Sequence, residues 1–207
     1  MEIIMKKLKF YKTHPHVLTP AFLTGQSACF DISFSSAGKQ RYGGYNKQNK
    51  EFDRPMSNGN IVVMSGDRIL VPTGLILDIP AGFSVRVHPR SGLSLKQGLV
   101  LANCEGVIDS DYVQELFILI HNTSDNGLTI KNGDRIAQGE LVERLEYVLE
   151  ATVDQPGQKT DRVGGMGSTG IGSNLANTTF VYTTTVASEN APEKRGPGRP
   201  KKIVISA

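Results

Sequence analysis

The chain lacks the features that mark several large classes of protein. Only two of its 207 residues are cysteine, Cys29 and Cys104. That is too few for a disulfide framework, and neither has a second Cys or His at metal-ligand spacing. We therefore read both as reduced thiols. The four histidines, His14, His16, His88 and His121, form no HxxxH or HExxH pattern, so no protein-held zinc site is expected. No stretch approaches the ~18 consecutive apolar residues of a spanning helix. Lys6, Lys7 and Lys9 interrupt the N-terminus where a signal peptide would build its apolar run. These absences point to a soluble, cytoplasmic protein.

Charge of one sign is also scarce. The formal net charge of +3 is carried by residues 171–207, where Lys194, Arg195, Arg199, Lys201 and Lys202 outnumber Glu189 and Glu193. Residues 1–170 are balanced and offer no global field for gripping a polyanion, so any nucleic-acid affinity belongs to the tail. With 39% hydrophobic and 21% charged residues, the chain suits one ordinary domain plus tails. It is not a disordered chain, a coiled coil or a collagen.

Short β-type runs are present in number: Ile61–Met64, Arg68–Val71, Leu75–Ile79, Ser84–Val87, Leu116–Ile120 and Leu128–Ile130. Turn signals separate them at Ser65-Gly66-Asp67, Pro72–Gly74, Pro80–Gly82, Ser124–Gly127 and Asn132-Gly133-Asp134. This spacing predicts an all-β sandwich or barrel, not βαβ units. Residues 140–153 are ambiguous, since Leu141, Leu145, Val148 and Leu149 also suit one helix face. Residues 36–60 are polar, rich in Gly and Asn and nearly free of aliphatic side chains. We expect them to form an inserted surface loop that supplies no strand pair to the core. Residues 171–207 read as a C-terminal extension ending in the basic run 194–202.

Four segments combine residues that can do chemistry. Gly106-Val107-Ile108-Asp109-Ser110-Asp111-Tyr112 sets carboxylates after a short apolar run, where a hairpin end would hold one firmly enough to orient a water. The other reading is a turn whose aspartates bond local amides. Pro89-Arg90-Ser91-Gly92-Leu93 joins a fixed cation, a hydroxyl and a glycine that admits a ligand to the backbone, the parts needed to hold phosphate oxygens. Gly133-Asp134-Arg135-Ile136-Ala137-Gln138 is less specific, since Asp-Arg also suits a structural ion pair. In residues 162–170, GMGSTG is formally a GxGxxG, but it neither follows a buried strand nor opens a helix. It remains either a glycine-rich lid over phosphates or a linker.

Taken in order, these pieces resemble the five motifs of the trimeric dUTPase family, the first being Ala28-Cys29-Phe30-Asp31-Ile32. The third motif runs from Asn103 to Glu115. The resemblance spans roughly residues 20–170 and implies a β-barrel-like jelly roll, with residues 1–170 as its domain. It implies a homotrimer with shared active sites, and it tips residues 140–153 toward strand. The implied reaction is Mg²⁺-assisted attack of water on the α-phosphorus of dUTP, giving dUMP and pyrophosphate. Such an enzyme limits uracil incorporation into DNA and supplies dUMP for dTMP synthesis.

Residue by residue, the resemblance implies that Asp109 binds the sugar 3′-hydroxyl and orients the water, while Tyr112 lies under the deoxyribose. Asn103 and the backbone of Gly106, Val107 and Ile108 read the uracil edge. Arg90, Ser91, Gly92 and Gln138 hold the phosphates, and Asp31 sits near the metal through water. Arg162, Met166, Gly167 and Ser168 close as a lid, Met166 standing where the family has an aromatic. Gln114 replaces a usual glycine after the tyrosine. The alternatives are a dCTP deaminase relative, which would need an added carboxylate near Glu115, and a scaffold binding DNA or a partner through loop and tail. The Gly-Arg-Pro core of residues 194–202 looks like an AT-hook, with Arg199 in a minor groove and Lys201 and Lys202 on phosphates.

Overall fold

Apolar residues on alternate positions turn most of the expected runs into strands. The computed structural model describes residues 6–160. In chain order its elements are β1 (Lys9–Lys12), β2 (Phe30–Ser33), β3 (Arg41–Tyr45), β4 (Glu51–Pro55), β5 (Ile61–Val63), β6 (Arg68–Asp78), β7 (Phe83–Pro89), α1 (Ser91–Gln97), β8 (Leu99–Leu101), β9 (Gly106–Asp109), β10 (Glu115–Asn122), β11 (Leu128–Ile130) and β12 (Arg135–Glu143). All pairings among them are antiparallel. One sheet runs β4-β3-β6-β10-β8 with β1 also on β6, a second runs β2-β12-β7-β9, and β11 pairs with β5. Ile32, Phe34, Ile61, Ile69, Leu75, Val85, Leu116 and Ile118 lie fully buried in the core, each contributing about 1.5–3 kcal/mol by its removal from water. Among the described residues no helix is long and apolar enough to cross a membrane.

Three local expectations are corrected. Pro72–Gly74 is not a turn but the middle of β6. The register of β6 with β10 shifts between Glu115 and Phe117, and Pro72, which has no N–H to donate, falls at that irregularity. Thr73 Oγ1 donates to the Leu116 carbonyl at 2.7 Å, and the Gly74 N–H donates to Glu115 Oε1 at 3.0 Å. Gly74 has φ +70°, and a Cβ there would stand 2.4 Å from Val17 Cγ2, so the glycine serves packing and backbone together.

Residues 36–60 do supply a strand pair: β3 and β4 form a hairpin whose inner strand joins β6. Aromatic and glycine residues do the work expected of aliphatic ones. Tyr42 is buried and its hydroxyl donates to the Val62 carbonyl at 2.6 Å. Phe52 meets the Tyr42 ring edge-on, and the Arg54 guanidinium lies 3.7 Å over Phe52 while pairing with buried Asp67 at 2.5 Å. A Cβ on Gly44 would come within 2.2 Å of the Arg68 carbonyl oxygen, so only glycine lets β3 approach β6 here.

The segment 140–153 is strand only as far as Glu143. Beyond it Leu145, Val148 and Leu149 are 79%, 86% and 92% exposed. The β reading also did not foresee α1, which starts immediately after Arg90 and ends at Gly98 in the left-handed region, φ +67°.

Candidate active site

The alternation of β2 buries Phe30 and Ile32 and turns Asp31 outward. In the sheet Gln138 lies opposite Asp31 on one side and opposite His88 on the other. Two guanidiniums converge on Asp31: Arg90 Nε stands 3.3 Å from Oδ1, and Arg135 Nη1 donates to Oδ2 at 3.0 Å. Arg90 Nη1 also donates to the Arg135 carbonyl at 2.8 Å. Arg90 Nε is buried, and its approach to Asp31 is an ion pair without hydrogen-bond alignment. Two fixed cations on one carboxylate leave an excess of positive charge and of donors suited to phosphate oxygens.

Arg90 occupies the N-cap position of α1 in extended conformation, φ −92° and ψ 123°. Its carbonyl accepts the N–H groups of Leu93 and Ser94, both at 3.0 Å. Ser91 and Gly92 lie in the first turn, where N–H groups have no intrahelical acceptor. A Cβ on Gly92 would meet nothing within 4 Å, so nothing in this chain's own packing demands glycine there. Asp31, Arg90, Ser91, Gly92 and Gln138 are thus gathered at one end of the β2-β12-β7 sheet.

Asn103 and the loop from Gly106 to Tyr112 form a second group. A Cβ on Gly106 would stand 3.1 Å from Val87 Cβ, a tight contact, and 3.7 Å from Asn103 Nδ2, an ordinary one, so glycine here eases the packing of β9 on β7 with Asn103 alongside. The Tyr112 N–H donates to the Asp109 carbonyl at 3.1 Å, and the Tyr112 hydroxyl donates to the Glu115 carbonyl at 2.9 Å. This tight turn exposes Asp109 and Tyr112, and Gln114 is exposed beside them.

The two groups do not meet. Asp109 is paired with Ser84 near the start of β7, whereas Arg90 follows the end of the same strand. Six residues of extended chain put them about 20 Å apart.

Sequence reasoning missed several residues. Arg135 belongs not to an ion pair with Asp134, whose carboxylate accepts the Lys131 N–H at 2.7 Å, but to Asp31 across the sheet. Only the pairing of β2 with β12 could have revealed this. Glu115, the position nearest to a deaminase carboxylate, is held by Lys39 Nζ at 2.8 Å and by the Gly74 N–H, a structural role. Cys29 just ahead of β2, His88 on β7 and Glu140 on β12 come together, each offering a donor atom within 4.8 Å of the others. Burial, with the negative charges of Glu140 and Asp31, pushes the Cys29 thiol pKa up. Arg162, Met166, Gly167 and Ser168, and the tail residues Arg199, Lys201 and Lys202, lie outside the described residues.

Comparison with known proteins gives a consistent answer. The profile of the dUTPase family matches residues 56–170, beginning just past the β3–β4 hairpin. The deoxyuridine 5'-triphosphate nucleotidohydrolase of Syntrophotalea carbinolica is 44% identical over 164 residues, 79% of this chain and 97% of that protein. The enzyme of the same name from Finegoldia magna is 39% identical over 117 residues, 56% of this chain and 81% of that protein. In fold, the chain is similar to a mutant dUTPase of Staphylococcus bacteriophage 80alpha with dUpNHpp, at TM-score 0.63 and 19% identity, covering 81% of this chain and 100% of that one. It is also similar to the dUTPase of Streptococcus mutans, at TM-score 0.52 and 22% identity, over 69% and 99% of the two chains. With the five motifs in order and the jelly-roll sheets in place, this chain belongs to the dUTPase family.

Proposed function

We propose that the active site of this dUTP diphosphatase is divided between copies of the chain, each copy lending its phosphate end to one nucleotide and its sugar end to another. The reaction is hydrolysis of dUTP to dUMP and pyrophosphate. The observation that carries the division is the register of β9 on β7: Asp109 lies opposite Ser84 near the start of β7 and Arg90 follows the end of that strand, about 20 Å away. One nucleotide cannot use both from a single chain if its sugar and its phosphates are to be held by the residues assigned to them. The exposed Leu145, Val148 and Leu149 are further apolar surface that a neighbouring copy would cover. A homotrimer is the assembly this reading takes.

In this account Asp109 accepts hydrogen bonds from the sugar 3′-hydroxyl and from the attacking water. The water oxygen bonds to the α-phosphorus, the bond from that phosphorus to the bridging oxygen breaks, and pyrophosphate leaves. Asp109 takes the water proton. Tyr112 excludes a 2′-hydroxyl beneath the ring, and Asn103 with the Gly106–Ile108 backbone reads uracil. From another copy, Arg90, Ser91, Gly92 and Gln138 hold the phosphates. Catalysis is then positioning plus charge neutralisation. Arg162, Met166, Gly167 and Ser168 are assigned to the lid.

Mg²⁺ suits Asp31 as a hard oxygen donor. Because both carboxylate oxygens face guanidiniums at 3.3 and 3.0 Å, contact through water fits better than direct ligation. When bound, the ion neutralises phosphate charge.

The test is pyrophosphate release from dUTP, dCTP, dTTP and UTP, with Mg²⁺ and with chelator, alongside sedimentation of the full-length protein. Metal-stimulated release from dUTP alone by a trimer supports the account. Equal rates on UTP would overturn the role given to Tyr112, and full activity in a monomer would overturn the division. Arg199, Lys201 and Lys202 are assigned a weak DNA contact; unchanged low-salt retardation of DNA after deletion of residues 190–207 would remove it.

A further inference from the structure

Phe30 pairs with Gly139, so Cys29 precedes the last paired residue of β2 and Glu140 follows its partner, while His88 lies opposite Gln138, two residues from Glu140 along β12. Donor atoms of Cys29, His88 and Glu140 all lie within 4.8 Å of one another. His88 Nε2 is 3.5 Å from Glu140 Oε1, while Nδ1 is 3.6 Å from Glu105 Oε1 on the other side of the ring. Glu105 is itself steadied by Arg86 Nη1 at 3.3 Å.

We propose that Cys29, His88 and Glu140 bind one zinc-class divalent cation per chain, at a site separate from the magnesium of the substrate. A thiolate, an imidazole and a carboxylate together form the donor set of borderline-soft metals; magnesium takes oxygen. Around tetrahedral zinc, with bonds of about 2.0–2.3 Å, donors lie roughly 3.3–3.7 Å apart. On binding, the side chains would rotate to close the spacing from within 4.8 Å to that range. The Cys29 thiol gives its proton to solvent on binding, and with the Glu140 carboxylate it balances the charge of the ion. Three protein ligands leave a fourth position for water.

Glu105 completes the arrangement. Its Oε1 lies 3.6 Å from His88 Nδ1; on metal binding it would close to hydrogen-bond distance, accept the Nδ1 proton and leave Nε2 free to ligate, the outer-shell partner that metal-bound histidines commonly have. The ligands sit on or beside β2, β7 and β12, the strands that carry Asp31, lead into Arg90 and carry Gln138. Bound metal would therefore tie the phosphate end of the site together without sharing a ligand with it.

The experiment titrates metal-free, full-length protein with Co²⁺ and then with Zn²⁺. One Co²⁺ per chain should bind with the near-ultraviolet charge-transfer absorption of a cobalt–thiolate bond. An equivalent of Zn²⁺ should remove that band and Mg²⁺ should not. Cys29→Ser should lose the band and Cys104→Ser should keep it. Glu105→Gln should weaken binding about 10–100-fold. Zn²⁺ should raise the melting temperature of the wild type and not of His88→Gln, whose assembly is checked by sedimentation so that a folding failure is recognised. A band that survives Cys29→Ser, a band lost with Cys104→Ser, or occupancy far below one ion per chain would overturn the proposal.

Discussion

Asp109 stands on an exposed turn whose backbone closes without help from its carboxylate, through the Tyr112 N–H on its carbonyl at 3.1 Å. Asp109→Asn should therefore leave the fold intact and dUTP binding within a fewfold of wild type. It should lower kcat by at least about 10²–10³, the scale of losing a preorganised catalytic interaction. Steady-state kinetics and direct nucleotide titration separate the two effects, and loss of binding with kcat preserved would contradict the role. The two cysteines offer a second contrast. Cys104 is exposed, whereas Cys29 is partly covered and its thiol pKa is pushed up by burial and by the charges of Glu140 and Asp31. A raised thiol pKa means less thiolate at a given pH. Alkylation at pH 8 in chelator should thus label Cys104 first, as peptide mass mapping would show; faster labelling of Cys29 would refute this. At this scale the sequence revealed residues grouped by chain order, such as Arg90 to Gly92. It did not reveal those grouped only by strand pairing. Arg135 on Asp31 is one case, and the meeting of Cys29, His88 and Glu140 is another.

Glycine and proline were read from the sequence as ends of elements, and in β6 and the β3–β4 hairpin they lie inside elements. Pro72 and Gly74 mark an irregularity in a long strand, and Gly44 marks a close strand approach. Local sequence signals the special backbone but not what faces it, so the strand runs were legible and their continuity was not. Gly139 makes the same point on β12. A Cβ there would stand 2.6 Å from Phe30 Cζ, inside the core beneath Asp31. Gly139→Ala should destabilise the domain by about 1–3 kcal/mol and, by moving β2, raise KM for dUTP more than it lowers kcat. Denaturant melts and kinetics test both halves. In the hairpin, Tyr42→Phe removes the hydroxyl that donates to the Val62 carbonyl, leaving that carbonyl without it. The expected cost is about 1–3 kcal/mol in the same melts, and no change would show that the hairpin is not integral to the domain.

The whole molecule is legible in outline because five short motifs keep their order while the strands between them are built by alternation. On the proposed reading no single chain displays a finished site, since Asp109 lies opposite Ser84 near the start of β7 and Arg90 follows the end of that strand. The most direct measurement is complementation between two inactive variants, Arg90→Ala and Asp109→Asn. Each is prepared separately, and the two are then unfolded and refolded together. If sites form between copies, a mixture recovers activity that neither parent has, because some sites pair an intact Arg90 from one chain with an intact Asp109 from another. Random assembly from equal amounts makes that roughly a quarter of the sites. Activity of the mixture no greater than that of its parents, in assemblies shown to contain both variants, would contradict the shared site.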